Sequence, residues 1–98
     1  MPYARINMAE FRTRDEMTKT LSILKNDIKS VFPEIRAFTA IEKSETSILI
    51  ISVYDDKAAA DRAVEQRDKH HEDKDLSDIF SHEGFVEFMY FDNEKLAL

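Results

Sequence analysis

Ser47-Ile48-Leu49-Ile50-Ile51-Ser52-Val53-Tyr54 runs without a break into Asp55-Asp56-Lys57-Ala58-Ala59-Ala60. Nowhere else in the 98 residues does an uninterrupted β-branched and apolar run meet a helix start. Such a run reads as a strand buried on both faces that hands the chain to a helix. The other segments can be arranged around it, with this strand in the middle of a sheet.

Tyr3 to Arg12 alternates, with Ala4, Ile6 and Met8 on one side and Tyr3, Arg5, Asn7, Ala9 and Phe11 on the other. That period of two predicts a first strand. Thr13 and Glu16 have the spacing of a capping box, and Met17, Leu21, Leu24, Ile28 and Val31 then follow as one apolar stripe. Pro33 ends this helix. Ile35 to Ile41 alternates again, Glu42 to Thr46 is a polar turn, and Ser47 to Tyr54 is the returning strand of a hairpin. Asp55 or Asp56 caps a second helix in which Ala60, Ala63, Val64 and Arg67 share a side. Its apolar face is thin and made of small residues, so the helix can leave space beneath itself.

Lys69 to Asp75 is read as the frayed helix end and a charged connection, and Ser77 to Phe80 as a capped turn that tucks Ile79 and Phe80 onto the core. Gly84, the only glycine, precedes Phe85 to Phe91, the expected last strand, and residues 92–98 form a tail. The order strand, helix, strand, strand, helix, strand predicts one domain over residues 1–98. Its fold class is α+β, a ferredoxin-like sandwich with a four-stranded antiparallel sheet and both helices on one face.

A wet second face would demand strands that are apolar on one side only. Here Ile48 and Ile50 oppose Leu49, Ile51 and Val53, and in the expected last strand Phe85, Met89 and Phe91 oppose Val86, Phe88 and Tyr90. The surplus exceeds the few hundred Å² of apolar surface that a soluble monomer tolerates, roughly 300–600 Å² at most. A homodimer pairing sheet to sheet, across an interface of roughly 1,600 Å² or more, is the expected cover.

Fourteen basic against 20 acidic residues give a net charge of -6, which argues against nucleic acid and anionic membrane surfaces as partners. The longest apolar run, Ile48 to Ile51, is far short of a membrane span. The absence of cysteine removes disulfide, thiolate and zinc-thiolate chemistry. With no secretory signal visible, a cytoplasmic location is the expectation.

The strand order, the double-faced strands, the Tyr54-Asp55-Asp56-Lys57-Ala58 junction and the aromatic last strand together resemble the dimeric α/β-barrel superfamily, in its antibiotic-biosynthesis monooxygenase-like branch. The resemblance implies ferredoxin-like protomers paired sheet to sheet and a small-molecule pocket between sheet and helices. It leaves activity open, from cofactor-independent oxygenases through haem-degrading enzymes and isomerases to proteins without known activity.

Asn7 is the first candidate, because a strand-interior amide is disfavoured and a buried one needs partners. The resemblance implies that it points into the pocket; the plain alternative is a cross-strand or loop partner. Arg5 and Tyr3 share its parity and are candidate substrate-binding residues, Arg5 for a carboxylate or enolate oxygen, unless it pairs with a carboxylate such as Glu87. His70 and His71 lie about 100° apart on a helix, so they make no helical metal pair. One of them, or His82, can serve as a base, and the alternative is exposure in a charged run. Haem-degrading relatives use a histidine in that region together with a tryptophan, which this chain lacks. Tyr54, at the end of the central strand, is a candidate proton donor or an amphipathic plug.

The expectation is a dimeric protein that takes a small apolar or aromatic ligand as a cofactor-independent oxygenase-like enzyme, with no metal and no cofactor. The rival is a non-catalytic binding or dimerisation module. A cavity walled by Asn7 favours the enzyme; a solid core with Asn7 and Arg5 bonded internally favours the module.

Overall fold

Six elements follow one another: β1 (Tyr3–Glu10), α1 (Arg14–Val31), β2 (Ile35–Glu42), β3 (Ser47–Tyr54), α2 (Lys57–His70) and β4 (Ser77–Phe85). The computed structural model describes the backbone of residues 1–70 and 77–92, and the side chains of residues 1–65 and 82–92. All pairings are antiparallel, in the order β2-β3-β1-β4, so the apolar run Ser47–Tyr54 is a central strand beside β1. This is the ferredoxin-like arrangement expected from the order of elements.

Local chemistry accounts for both helix starts. The Thr13 hydroxyl accepts from the Glu16 amide at 3.2 Å and caps α1. Glu16 does not return the contact but turns toward Arg12, 3.7 Å away, so only half of the capping box forms. Met17, Leu24 and Val31 bury the α1 stripe, and a kink at Asp27 (φ -133°, ψ 31°) redirects the last turn toward Phe32, which closes the helix before Pro33. At α2, Asp56 is the cap: its Oδ1 accepts from the Ala59 amide at 2.8 Å, while Asp55 pairs with Arg36 at 2.8 Å.

Both helices cover the same face. Leu24 and Val31 of α1 and Ala59, Ala60 and Ala63 of α2 share a core with Tyr3 and Tyr54; a second cluster joins Met17 to Ala9, Phe11 and Ile48. Most buried strand residues have the Tyr3 and Ile48 parity, as alternation favours, while Ser47 and Val53 are buried on the other side of β3.

On the other face the register lines up Ala4, Ile6 and Met8 with Val53, Ile51 and Leu49, and these with Ala37, Thr39 and Ile41. Neither helix covers this apolar surface, which agrees with the double-faced character read from β3. Among the described residues no helix is long and apolar enough to cross a membrane.

The last strand corrects the expectation. It is Ser77–Phe85, running from Ser77 opposite Glu10 to Phe85 opposite Tyr3, and not Phe85 to Phe91. Gly84 therefore lies inside the strand, opposite Ala4, and the backbone of Ser77 to Phe80 is extended and not a capped turn. The ladder stops where the Val86 amide donates to the Pro2 carbonyl at 2.9 Å, because proline has no N–H with which to continue it. Aromatic content suggested a strand, but strand residues need a neighbour, and the neighbour β1 ends first. Residues 86–92 join neither helix nor strand. The side chains of Ile79 and Phe80, the connection 71–76 and residues 93–98 lie outside the described residues.

Candidate active site

Between the sheet and the helices lies a cleft with about 630 Å³ of empty space, its open mouth included. Arg5, Asn7, Ser52 and Tyr54 supply its polar strand wall; Phe11, Leu24, Phe32, Phe38, Ile48 and Ile50 make the rest largely apolar. Ala63 and Val64 of α2 close one side, and Thr20 adds a hydroxyl from α1. The cleft exists because α2 offers short side chains where a leucine would reach the sheet.

Arg5 is held tightly. Its Nε donates to Glu83 Oε2 at 3.1 Å, one Nη donates to the Ala60 carbonyl at 3.3 Å, and the other lies 3.8 Å from Asp61. The second Glu83 oxygen accepts from the Tyr3 hydroxyl at 2.8 Å. Lys57 stands over the Tyr3 ring, 5.9 Å from its centroid, and Phe85 meets that ring edge-on at 5.1 Å. The hydrogen bond to the Glu83 carboxylate, with burial, raises the Tyr3 pKa above its usual value, against smaller opposite effects of Lys57 and Arg5. Glu83 and Asp61 balance Arg5 and Lys57, whose Nζ lies 3.2 Å from Asp61, so the cluster offers little net positive charge to a bound anion.

Asn7 has a different environment. It lies on the cleft wall, half-buried, and its carboxamide has no hydrogen-bond partner among the described residues. Tyr54, 3% exposed, lines the same cleft, while Tyr3, opposite it across the β1–β3 ladder, is core and not cleft wall. His82 lies opposite Ile6 and so belongs to the helix-free face, away from the cleft. His70 ends α2, with its side chain outside the described residues, and His71 lies wholly outside them. No cluster that could hold a metal ion occurs among the described residues.

The structure thus brings Arg5, Asn7 and Tyr54 to one cleft. Arg5 does pair internally, but with Glu83 and not Glu87, since Glu87 lies past the end of the true β4. Glu83 and Ser52 were missed by sequence reasoning. Ser52, 4% exposed, breaks the apolar run of β3 at the parity of Ile48 and Ile50, a signal available in the sequence. Glu83 was hidden because the expected last strand began at Phe85, eight residues after the observed start at Ser77.

No protein-family model and no curated protein matches the chain. Solved structures do match in fold. A dimeric ferredoxin-like protein from an uncultured marine organism superposes with a TM-score of 0.67 at 16% identity, covering 94% of this chain and 100% of that one. HapK from Hahella chejuensis gives 0.72 at 10% identity over 93% and 99% of the two chains. SnoaB from Streptomyces nogalater, a cofactor-independent oxygenase, gives 0.62 for an N63A mutant at 18% identity over 95% and 98%. The chain has the fold of these dimeric ferredoxin-like and antibiotic-biosynthesis monooxygenase-like proteins.

Proposed function

We propose that two copies of this chain pair through their helix-free sheet faces, and that each copy binds a neutral, mainly apolar or aromatic metabolite in the cleft as a cofactor-independent oxygenase-like enzyme. The observation that carries this reading is the Asn7 carboxamide: a polar group without a partner among the described residues, on the wall of a largely apolar cleft. The amide is half-buried on that wall, so a ligand oxygen or hydroxyl can take it up as a hydrogen-bond partner. In this reading Asn7 orients the hydroxyl or enolate oxygen of the substrate. Tyr54 and one of His70 and His71 handle protons. Arg5, occupied by Glu83, Asp61 and the Ala60 carbonyl, fixes the polar floor of the site with Tyr3 behind it. Its neutralisation favours uncharged substrates over carboxylates, a change from what an unpaired arginine would select.

The apolar residues Ile6, Met8, Leu49 and Ile51 support the pairing, and the dimeric ferredoxin-like protein of the same fold assembles in pairs. Thermal-shift titration with naphthol, a tricyclic quinol and naphthoate, followed by oxygen uptake with the quinol, tests the assignment. Stabilisation by the neutral ligands with oxygen uptake, both lost in Asn7→Ala, is the expected result. Stabilisation without oxygen uptake makes the protein a non-catalytic binding module, and no stabilisation by any ligand removes both readings.

A further inference from the structure

Past Phe85 the chain carries Val86-Glu87-Phe88-Met89-Tyr90-Phe91, and the side chains of Phe88, Met89, Tyr90 and Phe91 are 84%, 54%, 73% and 77% exposed. Four consecutive large apolar side chains in water are unlike a solvated tail. Val86 makes the last backbone bond to the sheet, through Pro2, and no backbone ladder takes up residues 87–91. The segment therefore holds both an apolar surface and unpaired backbone groups, the two features by which extended segments add to a neighbouring molecule.

We propose that residues 87–91 form an arm that lies across a second copy of this chain, a proposal that rests on the pairing of two copies described above. The area argues for that occupant. At about 150 Å² or more for each large aromatic side chain, the two arms of a pair expose roughly 1,000 Å² of apolar surface. That is more than half of a standard interface, about 1,600 Å², before the helix-free sheet faces contribute anything. Symmetry also suits an arm, because each copy offers the segment that the other receives. Charge argues against the main competitor: a chain of net charge -6, with Glu87 and Asp92 flanking the aromatics, is repelled by anionic lipid.

The test compares the full chain with Phe88→Ser/Tyr90→Ser and with a chain ending at Val86, by sedimentation equilibrium and far-ultraviolet circular dichroism. A dimeric full chain, with both variants folded and at least about a hundredfold weaker in self-association, supports the arm. Equal self-association of all three overturns the arm and leaves sheet-to-sheet pairing intact. A monomeric full chain overturns both. Flotation of the full chain, but not of the double variant, with neutral phosphatidylcholine vesicles assigns the segment to a membrane and also overturns the arm. Should the truncated chain fail to fold, the double variant, which keeps the backbone, decides.

Discussion

Glu83 Oε2 sits 3.1 Å from Arg5 Nε across the β1–β4 ladder, and this one carboxylate decides the electrostatic character of the cleft. Without it the guanidinium would face the cleft with Asp61, at 3.8 Å, as its acidic partner among the described residues.

Glu83→Gln therefore changes ligand preference. The variant is expected to bind naphthoate at least about tenfold more tightly than the parent chain, with little change for naphthol, as measured by calorimetric titration. The same substitution removes the main cause that raises the Tyr3 pKa. Tyrosinate absorbance attributable to Tyr3, identified by difference from Tyr3→Phe, should then appear at lower pH than in the parent. Unchanged ligand preference would mean that Arg5 does not sense the cleft at all.

Asp56→Ala removes the acceptor for the Ala59 amide at the start of α2. The expected loss is about 1 kcal/mol, within the range of about 0.5–2 for caps of this kind, read from the urea midpoint at constant slope. Asp55→Ala, which breaks only a surface pair with Arg36, serves as the control and should fall within about 0.5 kcal/mol of the parent. Equal effects of the two would reassign the cap.

Arg62 donates twice to Glu34, at 2.7 and 2.6 Å, tying α2 to the loop before β2. The hydrogen bonds from Arg62 lower the Glu34 pKa below its ordinary 4.5. A carboxylate with a depressed folded-state pKa contributes stability that is present above its unfolded pKa and is lost as pH falls through the folded value. The stability advantage of the parent over Glu34→Gln should thus be complete at neutral pH and shrink below pH 4.5. Both side chains are partly exposed, so added salt should reduce the advantage. A difference independent of pH in urea unfolding would assign the effect to packing and not to charge.

Much of the fold was legible because its signals are local. The β3 run, the α1 stripe and Pro33 each state their element without help from the rest of the chain, and the order of elements then leaves few topologies. The last strand was not legible, because Phe85 to Phe91 carries a stronger β pattern than Ser77 to Phe85, and the choice between them depends on where β1 runs out of partners at Pro2. The same error concealed Glu83. It also made an apolar second face of β4 out of residues that lie beyond the sheet, although β1 and β3 alone carry the argument for that face. At the site, parity sufficed to bring Arg5 and Asn7 to one wall. Which of them is left unpaired depends on α2 and β4, and no spacing in the sequence records it.

Ala63 gives the sharpest test of the cleft, since it is 3% exposed, lines the cavity and belongs to the small-residue face of α2. In a close-packed core, enlarging such a residue strains its neighbours and costs about 1–3 kcal/mol. Above an empty cleft the added atoms enter free space and bury apolar surface instead, which offsets that strain. Ala63→Leu is accordingly expected to unfold within about 1 kcal/mol of the parent, with naphthol binding weakened at least about tenfold, because the leucine occupies the space the ligand needs. Ala59→Leu, on the same helix but buried in the core away from the cleft, should show the full cost of overpacking. If the two substitutions destabilise equally, α2 rests on a filled core and the binding assignment fails at its geometric premise. If Ala63→Leu is tolerated and naphthol still binds unchanged, the ligand site lies elsewhere on the molecule.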